Sequence, residues 1–138
     1  MKRWRYVFRK VILCVEDDPI ALMTRRLLLS KQDYEVLVAS SASSALRILD
    51  DTRVDLVITD HFMPDMTGTE LVAAMKARDY NIPTMILTGA PEPPAGSELA
   101  DIVLMKGVGP QILLTKVAQL LEETPPAAEG SAGNQSRE

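Results

Sequence analysis

Few residues in this chain have types that could do chemistry together. The acidic run Glu16-Asp17-Asp18 follows the apolar stretch Val11–Val15. Asp60 closes a second apolar stretch, residues 54–59. Thr88 and Gly89 close a third, Thr84–Thr88, and Lys106 follows a fourth, Ile102–Met105. Carboxylates brought together repel one another, and a shared cation relieves that repulsion. An all-oxygen donor set suits Mg²⁺, which keeps several waters and shares its shell with phosphate. A carboxylate can also be the nucleophile that accepts a phosphoryl group. A lysine then offsets the incoming charge and a hydroxyl donates to a phosphoryl oxygen, so that transfer rests on positioning and charge neutralisation.

The elements that must position these groups follow from the apolar pattern. The four runs, with a weaker fifth at Glu35–Ala39, are too short for helices and read as strands buried on both faces. Helical spacing fills the gaps between them. Residues 19–31 place Ile20, Met23, Leu27 and Leu28 along one face, with Asp18 as N-cap and Pro19 at the first helical position. Residues 43–49 present Ala45, Leu46 and Leu49, and residues 69–78 present Leu71, Val72 and Met75. Residues 110–121 present Leu113, Leu114, Val117 and Leu121 behind Pro110. The alternation predicts an α/β fold: a five-stranded parallel sheet with helices on both faces. Ligands of such sheets bind at the carboxyl ends of the strands, where strand order reverses. All the chemistry-bearing residues fall at that edge. Met63, Pro64 and Gly68 are expected to shape the turn after Asp60, and His61 to be a surface residue without a chemical role.

Composition sets bounds. The 138 residues suit one domain, and 46% apolar with 25% charged residues is ordinary for a globular protein. A formal charge of −4 disfavours a general nucleic-acid binder. The single cysteine, Cys14, excludes an internal disulfide and is expected as a buried core thiol. No apolar stretch approaches the ~20 residues that cross a bilayer, and the basic N-terminus lacks a signal-peptide core, so a cytoplasmic protein is expected. Residues 1–10, MKRWRYVFRK, are expected as an extension leading into the first strand rather than a docking arm for an acidic partner or a membrane surface. The domain is expected over 11–123. Residues 124–138 carry Pro, Gly and Ser without large apolar side chains and are expected as a disordered tail.

Across residues 11–122 the chain resembles the response-regulator receiver domains of two-component signalling, and specifically a CheY-like single-domain receiver with a flavodoxin-like fold. The resemblance is carried by VILCVEDDP, VDLVITDHFMPDMTG, PTMILTG and MKGVGPQILL, in that order. The run D-x-x-M-P-x-M-x-G from Asp60 to Gly68 is its most specific part. The resemblance implies that Asp60 takes a phosphoryl group from a histidine kinase or histidine phosphotransfer protein. It implies Mg²⁺ held by Asp17, Asp60 and the backbone carbonyl of Phe62, with Glu16 assisting through water. It makes Thr88 the switch hydroxyl and Lys106 the partner of the phosphoryl group, while Asp18 keeps its capping role. It implies a signalling protein rather than an enzyme. Aspartate-nucleophile phosphatases carry a second acid two residues after the nucleophile, where Phe62 stands here.

The departures from the family lie on the output side. Val103 occupies the position that usually holds Tyr or Phe, and Gly107 follows the lysine where proline is usual, so that peptide is expected to be trans. Residues 90–99, APEPPAGSEL, hold Pro91, Pro93, Pro94 and Gly96, so the fourth helix is expected to be short or missing. Too little chain follows Glu123 for an output domain, so output is expected through contact with a protein partner and not with nucleic acid. The alternative is a phosphorylation-independent interaction module with the same fold.

Overall fold

Continuous apolar runs become strands here because helices cover both faces of the sheet. The structure, a computed structural model, describes residues 9–123. The expected tail over 124–138, and the expected N-terminal extension apart from Arg9 and Lys10, lie outside the described residues. The order is β1 (Val11–Val15), α1 (Pro19–Ser30), β2 (Glu35–Ala39), α2 (Ala42–Asp51), β3 (Leu56–Asp60), α3 (Gly68–Ala77), β4 (Thr84–Thr88), β5 (Ile102–Met105) and α4 (Pro110–Leu120). All strand pairs are parallel, in the order β2-β1-β3-β4-β5. The third strand starts at Leu56 rather than Val54 and takes in Asp60, although Val54 is still buried.

Successive side chains of a strand point to opposite faces, so one run feeds two cores. Val11, Leu13, Val15 and Val57 pack with Ala45, Leu46 and Leu49 of α2 and with Leu71 and Met75 of α3. Ile12, Cys14, Leu56, Ile58, Met85 and Leu87 pack with Leu29 of α1 and with Leu113, Leu114 and Val117 of α4. Cys14 is buried as expected, and burial pushes its thiol up to about 12, far from reactive.

Caps set where the helices begin. Asp18 accepts the Ile20 N–H, with Pro19 next in the chain. Ser41 caps α2 through the Ser44 N–H, and Thr67 and Glu70 form a reciprocal capping box on α3. The apolar faces of α2, α3 and α4 are those the spacing predicts. That of α1 is not. Ile20, Met23 and Leu27 are 76%, 51% and 56% exposed, while the inward side carries Leu22, Arg25, Leu28 and Leu29. The helix has two apolar stripes, and the one without a charge was the expected inner one. A buried carboxylate, Glu16, draws Arg25 and its stripe inward instead.

Between β4 and β5 there is no α-helix, only a 3₁₀ turn at Ser97–Leu99, which Gly96 enters at φ +86°. The proline-rich segment therefore replaces the fourth family helix, as expected. Gly68 has a sharper reason to be glycine than turn formation. Its N–H donates to the His61 carbonyl at 2.7 Å, and a Cβ on it would lie 2.3 Å from the backbone oxygen of Asp60. Gly68→Ala is therefore expected to destabilise the fold by about 1–3 kcal/mol, the usual cost of overpacking. Urea unfolding measures this, and an unchanged midpoint would show that the Asp60 backbone can move aside freely.

Candidate functional site

The strand order reverses between β1 and β3, and the register brings their ends level. Val15 pairs with both Ala39 and Thr59, Asp60 pairs with Leu87, and Thr88 pairs with Met105. The residues just past these pairs share one sheet edge. The Glu16 N–H donates to the Ala39 carbonyl at 3.1 Å, and the Lys106 N–H to the Thr88 carbonyl at 2.7 Å. Both side chains are thus held by extensions of the strand ladders.

Glu16 is buried to 1% exposure, Asp60 to 4%, and Asp17 is exposed. One carboxylate oxygen from each of the three lies within 4.8 Å of the others. Lys106 Nζ donates to Asp60 Oδ1 at 2.9 Å and stands 3.4 Å from Glu16 Oε1. Glu16 Oε1 also faces Arg25 Nη1 at 3.6 Å, and Glu16 Oε2 accepts the Asp18 N–H at 3.2 Å. Burial pulls the Lys106 ammonium pKa down. The hydrogen bond and charge of Asp60, with the charge of Glu16, outweigh that effect, so the pKa stands raised. Two cations therefore face three carboxylates, and Asp17 pairs with no cation among the described residues. An oxygen-only cluster with residual negative charge fits a hard divalent cation such as Mg²⁺.

Thr88 is buried, and its hydroxyl accepts the Ala90 N–H at 3.1 Å. Phe62, two residues past Asp60, is 64% exposed. His61 is not the surface residue expected. It is buried, shares a 3.1 Å hydrogen bond between Nδ1 and Thr69 Oγ1, and meets the Phe62 ring edge-on at 4.7 Å. Its partner lies on the next helix, a tertiary contact that no local pattern encodes. The Lys106–Gly107 peptide is trans, and Gly107 has φ +110°, a conformation glycine adopts without strain.

A profile of the response regulator receiver domain matches residues 12–118. The chain belongs to that family. It is a receiver domain of two-component signalling. The transcriptional regulatory protein GlrR of Escherichia coli is 33% identical over 122 residues, covering 86% of this chain. The chain spans only 28% of the length of that relative. Among solved structures, a CheY-like receiver domain from Methanospirillum hungatei is 32% identical with a TM-score of 0.75, covering 83% of this chain and 94% of that one. The response regulator TrrA of Thermotoga maritima, solved in complex with Mg²⁺-BeF, is 27% identical with a TM-score of 0.76, covering 80% of this chain and 98% of that one. No described helix of this receiver is long and apolar enough to cross a membrane.

Sequence reasoning missed three residues around this receiver's site. Arg25 was legible only as a charge interrupting an apolar stripe. Thr69 gave no signal. Asp65 was read as part of the motif loop, yet it clasps that loop to α2. Its carboxylate accepts the Ala42 N–H at 3.2 Å, the Ser43 N–H at 2.9 Å and the Ser43 hydroxyl at 2.9 Å. Chiefly through the Ser43 N–H, these bonds lower its pKa from 3.8 to about 2. A lowered carboxyl pKa contributes stability that is complete above the unfolded value and lost as pH falls through the folded one. Asp65→Asn is therefore expected to be less stable than the wild type at neutral pH. The gap should close between about pH 4 and pH 2. Denaturant unfolding of both proteins across that range checks the sign, and a pH-independent gap would exclude the clasp.

Proposed function

We propose that this receiver is a phosphoacceptor response regulator in two-component or phosphorelay signalling, with Asp60 as the residue phosphorylated. The observation that carries the reading is the contact between Lys106 Nζ and Asp60 Oδ1, 2.9 Å long, inside a cluster of three carboxylates. A carboxylate oxygen of Asp60 attacks the phosphorus of a phosphohistidine, the P–N bond breaks, and an acyl phosphate forms. Lys106 then offsets charge on the transferred oxygens. Asp17, Asp60 and the Phe62 carbonyl would hold Mg²⁺, with Glu16 acting through water. When bound, the metal supplies the remaining charge neutralisation. Thr88 is the hydroxyl that gives up the Ala90 N–H to meet a phosphoryl oxygen.

A histidine kinase or histidine phosphotransfer protein is the proposed donor. The exposed stripe Ile20, Met23 and Leu27 supports a protein contact there, because it begins directly after the acidic run. The proposed output is also a protein contact, in keeping with the formal charge of −4. The proposed compartment is the cytoplasm, which holds both donor and Mg²⁺. Val103 and the Ala90-bound hydroxyl of Thr88 favour the second reading, an interaction module that needs no phosphorylation.

Mass spectrometry separates the two. With Mg²⁺ and phosphoramidate the chain should gain one phosphoryl group, Asp60→Asn should gain none, and chelation should stop the reaction. Equal labelling of both proteins would remove Asp60 from the acceptor role, and no labelling of either would favour the module.

The site also sets a lifetime. Phe62 and Ala90 stand two residues past Asp60 and Thr88, and neither side chain can hydrogen-bond a water. Water-positioning groups contribute roughly 10²–10⁴ in rate where they act. Slow self-dephosphorylation is the expected outcome. Phe62→Asn with Ala90→Glu should shorten the decay measured after donor removal. Equal decay of variant and wild type would show that these positions do not control it.

A further inference from the structure

Arg25 is the one charged side chain on the inward stripe of α1, set between Leu22 and Leu29. Its side chain is only 11% exposed. With Leu87, Met105, Gly107, Val108 and Leu113 it lines a small cavity of about 120 Å³ beside Lys106. A guanidinium is costly to place there unless a carboxylate answers it. The answering group is Glu16, itself 1% exposed and 3.6 Å away. That separation is too long for a hydrogen bond, so the pair interacts as charges. The same oxygen, Glu16 Oε1, stands 3.4 Å from Lys106 Nζ, which reaches on to Asp60 at 2.9 Å. Charge therefore alternates along Arg25, Glu16, Lys106 and Asp60, from inside α1 to the acceptor.

We infer that Arg25 is a positioning residue that sets the charge of the acidic cluster: by holding Glu16 it weakens the cluster's hold on Mg²⁺ and leaves Lys106 to Asp60. The inference rests on the reading of these acids as a Mg²⁺ site. Without Arg25, Lys106 alone would balance the buried Glu16 carboxylate. Lys106 would then be drawn toward Glu16 and away from Asp60, and the cluster would be more negative by one charge. Both changes favour an added divalent cation. Coulomb attraction in a partly buried site is strong enough for a several-fold effect on binding. A residue that merely packed α1 against the sheet would have no such effect.

The test is calorimetric titration of the full chain with MgCl₂ at fixed ionic strength. Arg25→Met keeps the apolar stem and removes the charge, and Arg25→Lys keeps the charge. Arg25→Met is expected to tighten Mg²⁺ binding roughly threefold to tenfold. Arg25→Lys should return the Kd toward the wild-type value. A folded Arg25→Met variant that binds Mg²⁺ no more tightly than wild type overturns the inference. So does a lysine variant that shifts as far as the methionine one. Should Arg25→Met fail to fold, Arg25→Gln, which also removes the charge but keeps a polar end, is titrated in its place. Tighter Mg²⁺ binding than wild type supports the inference, and equal or weaker binding overturns it. Labelling of Asp60 is scored separately. An Arg25-dependent Kd in a chain that never labels defeats the acceptor reading alone. Labelling with no Arg25 dependence defeats the Arg25 role alone. If none of these proteins takes up Mg²⁺, both the metal site and the Arg25 role fall.

Discussion

The buried charge of Glu16 is the constraint from which much of this receiver's upper edge follows. A carboxylate at 1% exposure is stable only beside compensating groups, and the chain supplies three: Lys106 from the end of β5, Arg25 from α1 and the Asp18 N–H. Recruiting Arg25 fixes the rotation of α1. With Leu22, Arg25 and Leu29 inward, Ile20, Met23 and Leu27 must face outward. An electrostatic requirement inside the site thus produces an apolar surface beside it. Under the proposed function that surface lies where a phosphoryl donor would approach, so one buried acid links the chemistry to its docking surface.

The loop carrying Asp60 is held in a different way. Three contacts fix it at separate points: the close approach of Gly68 to the Asp60 backbone, the hydrogen bond between His61 and Thr69, and the Asp65 clasp on α2. Two of these tie the loop to the start of α3 and one to the start of α2. The loop can therefore follow α2 and α3 without drifting from the end of β3. Under the proposed function Asp60 depends on positioning and needs such support, because its own side chain has two rotatable bonds.

How much of this was legible depended on whether the cause was local. Strands buried on both faces leave continuous apolar runs, and the reading found all five, missing only the limits of β3. The starts of α1 and α4 were visible in Pro19 and Pro110, and the acids were visible because each closes an apolar run. The inner face of α1 was not legible, because spacing alone cannot rank two apolar stripes when a buried charge elsewhere decides between them. His61 was misjudged and Asp65 was missed for the same reason. Their partners, Thr69 and Ser43, lie 8 and 22 residues away, on helices whose placement only the fold determines.

The readout end of the site carries the largest departures from the family, and the structure gives them a physical sense. Under the proposed function Thr88 must release the Ala90 N–H before it can meet a phosphoryl oxygen. A neutral hydrogen bond of that kind is worth roughly 0.5–1.5 kcal/mol, and one to an ionised oxygen is about twice as strong, so the exchange is favourable. The Ala90 N–H is then freed at the head of the proline-rich segment. Val103 has no ring to change rotamer in response, but it lines a groove with Glu92, Pro93, Pro94 and Glu98 of that segment. Prolines restrict that backbone to few conformations, and no α-helix stands there to absorb a shift. The signal from Thr88 would therefore leave through the backbone from Ala90 toward Gly96, rather than through an aromatic side chain on β5.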